Sequence, residues 1–209
     1  MFTGIVSAIG RITQVTPQRV ADQDAGLRLD IAVSNFLTPS TKLGDSIAIQ
    51  GACMTVVALN PDSFSVDISR ESLNLTCGLD AVGDVNLEHA LCMGDSLDGH
   101  MVSGHVDGLG VVTHFAPIGE SWDLRIKAPV SLAKYLAYKG SITVNGVSLT
   151  VNQVDDSPDG CEFRINLIPH TVEVTTLKHL QAGSSVNLEI DMIARYVERM
   201  VTVMPLSTT

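Results

Sequence analysis

The chain has no run of basic residues, no apolar stretch long enough to span a bilayer, no CxxC pair and no GxGxxG loop. Aromatic residues make up only 4% of its 209 positions. Each absence removes a class of function. With 13 Lys and Arg against 23 Asp and Glu, a net charge of -10 repels a phosphate backbone and anionic lipid, so neither nucleic acid nor membrane is expected as a partner. Cys53, Cys77, Cys92 and Cys161 show neither paired spacing nor flanking histidines, which argues against a structural zinc or a disulfide framework. The N-terminus lacks a basic segment leading into an apolar one, so no secretory signal is read and the cytoplasm is the expected compartment. What remains is a chain with 45% hydrophobic and 17% charged residues, enough to bury one ordinary core or two small ones.

The chain begins twice. "MFTGIVSAIG" at Met1 is answered by "MVSGHVDGLG" at Met101, an offset of 100. "GDSIAIQGACMTVV" from Gly44 faces "KGSITVNGVSLTVN" from Lys139 at an offset of 95, and "FSVDISRESLNLT" from Phe64 faces "FRINLIPHTVEVT" from Phe163 at 99. "VNLE" stands at Val85 and again at Val186, an offset of 101. Four matches in one order, drifting only as small loop insertions would make them drift, mean two tandem copies of one small domain.

"LRLDIAV", "SFSVDIS", "SITVNG" and "FRINLI" alternate apolar with polar residues between turn signals such as "NPDS" and "DSPDG". Many short half-buried strands favour small antiparallel barrels, which remove exposed edges. "VSLAKYLAYKG" reads as a short helix ending at Gly140. "MIARYVERMVTVM" changes to a helical period: Ile193, Tyr196, Met200 and Val203 form an apolar stripe, suited either to packing on the chain's own barrel or to self-association.

"MFTGIV", "GACMTV", "NGVSLTV", "GHMVSGHVDG" and "IPHTVEVTTL" together resemble the riboflavin synthase family, alpha-chain type, over residues 1 to 197. The resemblance implies an all-β fold of two six-stranded antiparallel barrels, residues 1–97 and 98–191, followed by an oligomerisation helix and tail, 192–209. It implies a homotrimer, possible association with lumazine synthase, and no metal or redox cofactor. The implied reaction is a dismutation in which one 6,7-dimethyl-8-ribityllumazine gives a four-carbon unit to another, yielding riboflavin and 5-amino-6-ribitylamino-uracil. A duplicated pocket suits such a reaction, because holding two identical reactants together replaces a dilute encounter with an effective molarity of roughly 10⁵ M or more.

Six residues are carried over as catalytic candidates: His105, Cys53, Ser46, Ser148, Thr150 and Asp191. His105 stands where the first copy has Ile5, so the copies differ in chemistry there, and a neutral imidazole suits a base or proton relay. Cys53 and Ser148 occupy equivalent positions, with Cys53 a candidate nucleophile at C7 of the lumazine. Ser46 is assigned to activating water or assisting the leaving proton, Thr150 to bonding the ring, and Asp191 to orienting His105 or a ribityl hydroxyl. The competing readings are structural: a backbone-bonded core histidine, an inert buried thiol, hydroxyls in turns, and Asp191 as a helix N-cap. His100 reads as structural. Ligand contacts carried over are Phe2, Gly4, Ile5, Val6, Met54, Thr55, Asp67, Ile68, Ser69, Arg70, Glu71 and Ser72, and from the second copy Gly104, Val106, Lys139, Leu149, Ile168, Pro169, His170, Thr171, Val172 and Glu173. Asp98 before Gly99, and Met54 where leucine is frequent, depart from the family pattern. A lumazine-binding protein without catalysis is the second reading, and the joint presence of Cys53, His105, Ser148 and Thr150 favours the enzyme. A reductase's flavin-binding barrel is disfavoured by the missing nucleotide loop.

Overall fold

The computed structural model of the chain describes residues 1–20 and 23–203. The first half contains β1 (Ala8–Val20), β2 (Gln23–Ala32), β3 (Ser46–Ile49), β4 (Ala52–Asn60), β5 (Ser63–Ile68), α1 (Arg70–Leu75) and β6 (Gly83–His89). The second contains β7 (Gly108–Ile118), β8 (Ser121–Ala128), α2 (Val130–Ala133), β9 (Ser141–Val144), β10 (Val147–Thr150), β11 (Gln153–Ser157), β12 (Gly160–Leu167), α3 (Pro169–Val174), a 3-10 turn (Thr176–His179) and β13 (Ser185–Ile190). Helix α4 (Met192–Val203) follows, and residues 204–209, expected to form the tail, lie outside the described residues. Among the described residues no helix is long and apolar enough to cross a membrane.

The alternating sequence patterns become half-buried strands. Leu29, Phe64, Val66, Ile47 and Leu87 point into the first core, and their repeat partners Leu124, Phe163, Ile165, Ile142 and Leu188 into the second. Between them the polar positions face outward, as with Arg28 and Asp67, which pair across β2 and β5.

β1 to β6 close into a barrel in the order β1-β2-β5-β4-β3-β6. The second half repeats that order but, against the expectation of a second six-stranded barrel, its sheet stays open with seven strands, running β10-β9-β13-β7-β8-β12-β11, because the run equivalent to β4 is split into β10 and β11 at the two edges. A strand that turns the corner of a small barrel must kink. In the first half the kink is a bulge inside β4 between Val56 and Ala58. In the second it interrupts the strand at Val151 and Asn152, whose N–H groups go to the carbonyls of Gly140 (2.9 Å) and Arg164 (2.7 Å).

α2 is shorter than the sequence pattern suggests and ends at Ala133, not at Gly140. Tyr135 and Leu136 close tight turns onto the carbonyls of Leu132 and Ala133, which lets Leu132 and Leu136 enter the core. Lys139 then bonds the carbonyl of Val151, so the sheet has already claimed its backbone.

The two halves meet about a local pseudo-twofold. The turns Gln50-Gly51 and Asn145-Gly146 join β3 to β4 and β9 to β10, with all four residues at positive φ, as a two-residue type I′ hairpin requires. They touch: a Cβ on Gly51 would lie 2.7 Å from the Gly146 nitrogen. Around them the buried amides interlock reciprocally. Asn86 donates to the carbonyl of Asn145 (2.8 Å) and Asn187 to that of Gln50 (2.9 Å). Phe2, fully buried, forms a small third cluster with Ala48 and Val102 at this junction.

α4 is docked by its polar side. Arg195 pairs with Asp107 at 2.7 Å, and Glu198 meets Lys134 and the Tyr135 hydroxyl. The apolar stripe of Ile193, Tyr196, Met200 and Val203 stays between 51% and 64% exposed, so it does not pack on its own barrel.

Candidate active site

The segments that open each half, Phe2–Val6 and Val102–Val106, cross over. Phe2 and Val102 form an antiparallel bridge with hydrogen bonds of 2.7 and 3.1 Å in the two directions. Beyond the bridge the Gly104 carbonyl accepts from the Cys53 N–H of the first half, and the Gly4 carbonyl from the Ser148 N–H of the second, both at 2.8 Å. Val106 then packs against the first core and Val6 against the second. Gly4 and Gly104 lie at φ +76 and +79, and a Cβ on either would stand 2.6 Å from the Cβ of Ser148 or Cys53. Only glycine allows so close an approach.

This exchange builds a cavity of about 520 Å³ on the first half. β4 supplies Cys53, Met54 and Thr55, the end of β5 and α1 supply Asp67, Ile68, Ser69, Glu71 and Ser72, and the crossing segment supplies Gly104, His105 and Val106. Ala52, Val57, Leu75 and Thr76 complete it and were not picked out by the motifs. Cys53 is half-buried, His105 and Thr55 are exposed to the cavity, and Met54 points mainly into the core. Arg28 donates two hydrogen bonds to Asp67 (2.8 and 2.9 Å), which holds that carboxyl below the usual carboxylate range. Ser69 caps α1 by accepting from the Ser72 N–H at 3.1 Å. Arg70, the first residue of α1, is exposed.

The second half presents the equivalent set: Ser148, half-buried like Cys53; Thr150, exposed like Thr55; Leu149 in the core; and Ile168, Pro169, His170, Thr171, Val172 and Glu173 at the start of α3, with Gly4, Ile5 and Val6 crossing to meet them. The chemistry differs. The Ser148 hydroxyl lies 2.7 Å from Nδ1 of His100, and Nε2 of the same ring is 3.3 Å from Thr143 Oγ1. Either neutral tautomer satisfies the network, and in one of them Nδ1 accepts from Ser148 while Nε2 carries the proton toward Thr143. Burial, partly opposed by the charge of Asp191, pushes His100 below its ordinary pKa, so the ring is neutral near pH 7. His100 has no counterpart in the first half, where position 143 is answered by Ala48.

Four carried-over residues stand apart. Ser46 faces Thr55 across β3 and β4 but borders a different surface cleft, with Thr41, Asp45 and His89. Asp191 caps α4, accepting from the Ile193 N–H at 2.8 Å, and its charge acts on His100. Lys139 is exposed and sits at φ +64, where the first half has Gly44 at +88. Phe2 is sealed between the halves and touches the cavity only through its neighbours.

The repeated "VNLE" held a signal that the motif reading did not use. Both Asn86 and Asn187 tether short helices: Asn187 accepts from the Cys77 N–H just after α1, which lines the cavity, and Asn86 from the Thr176 N–H just after the equivalent α3, each at 2.7 Å. Burial beside Asn187 pushes the Cys77 thiol up to about 11, so it is inert. Glu88 and Glu189, both nearly fully buried, bond the crossing segments.

A family model described as lumazine binding domain matches residues 3–90 and again 103–191. Riboflavin synthase of Photobacterium phosphoreum is 40% identical over 205 residues, covering 97% of this chain and 90% of its own. Riboflavin synthase of Mycobacterium tuberculosis is 44% identical over 208 residues, covering 96% and 98%. Among solved structures, LumP complexed with riboflavin superposes with a TM-score of 0.77 at 28% identity, over 91% of this chain and 99% of that one. LumP complexed with 6,7-dimethyl-8-(1'-D-ribityl) lumazine gives 0.75 at 27%, over 90% and 98%.

Proposed function

We propose a mechanism from one premise: the chain belongs to the riboflavin synthase family. Its reaction joins two 6,7-dimethyl-8-ribityllumazine molecules, one giving up four carbons and leaving as 5-amino-6-ribitylamino-uracil, the other becoming riboflavin. The first pocket holds the acceptor and the second the donor. The observation that carries this assignment is the unequal equipment of two otherwise equivalent positions. Ser148 backed by a neutral, buried His100 forms a base for the 7-methyl proton of the donor, with the serine hydroxyl relaying the proton to Nδ1. Cys53, with His105 across the cavity, supplies the thiol that adds at C7 of the acceptor, passing its proton to His105, and that is expelled again as the new ring forms, taking the proton back. Asp67, Ser69 and Ser72 offer polar partners for the ribityl chain, and Thr150 one for the second ring.

The copies assemble as a homotrimer through the apolar stripe of α4, so that the first pocket of one chain faces the second pocket of its neighbour. The uncovered Tyr196 and Met200 support that reading. The cytoplasm, as a reducing compartment, suits four free thiols.

Purified protein given the lumazine alone is expected to form riboflavin with no added metal or nicotinamide. Tight binding without riboflavin would replace this reading with that of a lumazine carrier.

A further inference from the structure

We propose that Glu88 and Glu189 are positioning residues, each setting the geometry of the pocket in the opposite half. Glu189 lies on β13, away from the cavity walls, and is 4% exposed. One of its oxygens accepts from both the N–H and the hydroxyl of Ser103 at 2.7 Å, the other from the Gly104 N–H at 3.0 Å. Gly104 is therefore gripped on both sides: its N–H by Glu189, its carbonyl by the Cys53 N–H at 2.8 Å. The next residue is His105. The clamp thus determines where the imidazole stands relative to the Cys53 thiol, although the carboxylate itself belongs to the second half.

The first half mirrors this. Glu88, 6% exposed, accepts from the Thr3 N–H and hydroxyl at 2.6 and 2.8 Å and from the Gly4 N–H at 3.0 Å, while the Gly4 carbonyl is held by Ser148. Ile5 follows. A buried carboxylate is an expensive way to gain stability, since an apolar residue of similar volume generally does as well. What it supplies here is three directed acceptor bonds on two consecutive residues, which fix a turn rather than fill a space. The clamps also give the duplication a cross-wired form, in which neither half completes its own pocket.

This inference rests on the assignment of His105 and Cys53 to the reaction, and a double-mutant cycle separates the two. In Glu189→Gln the amide nitrogen replaces an acceptor oxygen with a donor, so the Gly104 or the Ser103 bonds are lost while the volume is kept. The variant is expected to lower kcat about 10- to 100-fold, the scale of a misplacement near 1 Å. In a His105→Ala background the same change is expected to alter kcat by less than about twofold, because the residue through which it acts is gone. Glu88→Gln in that background keeps its full effect, since it acts on the other pocket. Losses from E189Q and H105A that simply multiply would overturn the proposal. So would a folded E189Q variant with unchanged kcat. Should E189Q fail to fold, Ser103→Ala, which removes one of three donors, is expected to show the same non-additivity on a smaller scale, and multiplicative losses would again overturn it. If the unmodified chain binds lumazine but forms no riboflavin, the functional reading fails, and the clamp is tested by lumazine affinity. A weakening by E189Q that disappears with His105→Ala supports it, and equal weakening in both backgrounds refutes it.

Discussion

Replacing Gly104 with alanine tests the crossed segments most directly. Two costs add. At φ +79 an L residue occupies the left-handed region, which costs about 1–2 kcal/mol. The new methyl would also stand 2.6 Å from the Cys53 Cβ, 2.9 Å from its nitrogen and 3.0 Å from Phe2 Cε2. Ordinary contact starts at 3.4 Å, so the segment must retreat by about 0.8 Å, against a backbone atom and a fully buried ring that have little freedom to move. Overpacking of this kind adds about 1–3 kcal/mol. The sum, roughly 2–5 kcal/mol, is a large share of the 5–15 kcal/mol typical of a folded domain. Gly119→Ala is the matched control: its φ is +57 and its Cβ would meet nothing within 4 Å, so only the conformational cost applies. Urea unfolding of both variants, paired with riboflavin formation at saturating lumazine, separates the effects. G119A is expected to lose about 1 kcal/mol and keep full activity. G104A is expected to lose the larger amount and to fall about 100-fold in kcat, the order associated with a misplacement near 1 Å. Equal destabilisation of the two variants, or a G104A enzyme that turns over normally, would refute the crossing geometry.

The depressed pKa of His100 predicts acid sensitivity of definite sign. As pH falls below about 6.5 the unfolded chain takes up the proton first, so stability from the neutral ring is complete above that pH and is lost as acidification passes the lower folded value. Thermal midpoints measured across this window should fall more steeply for the native chain than for His100→Asn. Glu88 and Glu189, raised by burial, act in the opposite direction and are common to both proteins, so an identical pH dependence would refute the assignment. Asn187→Leu removes the acceptor of the Cys77 N–H and the donor to the Gln50 and Cys77 carbonyls. Buried groups left unpaired cost about 1–3 kcal/mol each, so a loss of at least 2 kcal/mol is expected in urea, together with weaker lumazine binding under the loosened α1. A variant as stable as the parent would show that the tether is dispensable. Tyr196→Glu with Met200→Glu places charge on the exposed stripe of α4 and is expected to yield single chains in sedimentation velocity, with activity lost alongside. An unchanged sedimentation coefficient would mean that α4 is not the assembly surface.

Much of the architecture was legible in the chain because its signals are local. A period of two in "SFSVDIS" and "FRINLI" suffices to place Phe64, Val66, Phe163 and Ile165 inside, and turn pairs such as Asn145-Gly146 demand positive φ wherever they occur. Duplication is likewise visible without coordinates, since it is a statement about order and spacing. The motifs also singled out Cys53 and His105, which line the cavity, and the segments that become α1 and α3, as matches to a family pattern rather than as geometry. His100 and α2 show the limits: nothing local in the sequence signals that a serine 48 residues after His100 lies 2.7 Å from its ring.

The sequence alone therefore determined the strand periods, the turns, the tandem halves and the types of reactive side chain. Tertiary structure alone decided which half each opening segment serves, why Glu88 and Glu189 can stay buried, why the equivalent of β4 breaks in the second half, and why Ser46 lies on another face from the cavity. The reason is the range of the interaction. "MFTGIV" has no period of its own, and its conformation is set by donors and acceptors 84 to 144 residues away, brought within reach only when the closed first barrel and the curled, open sheet of the second half pack about a pseudo-twofold.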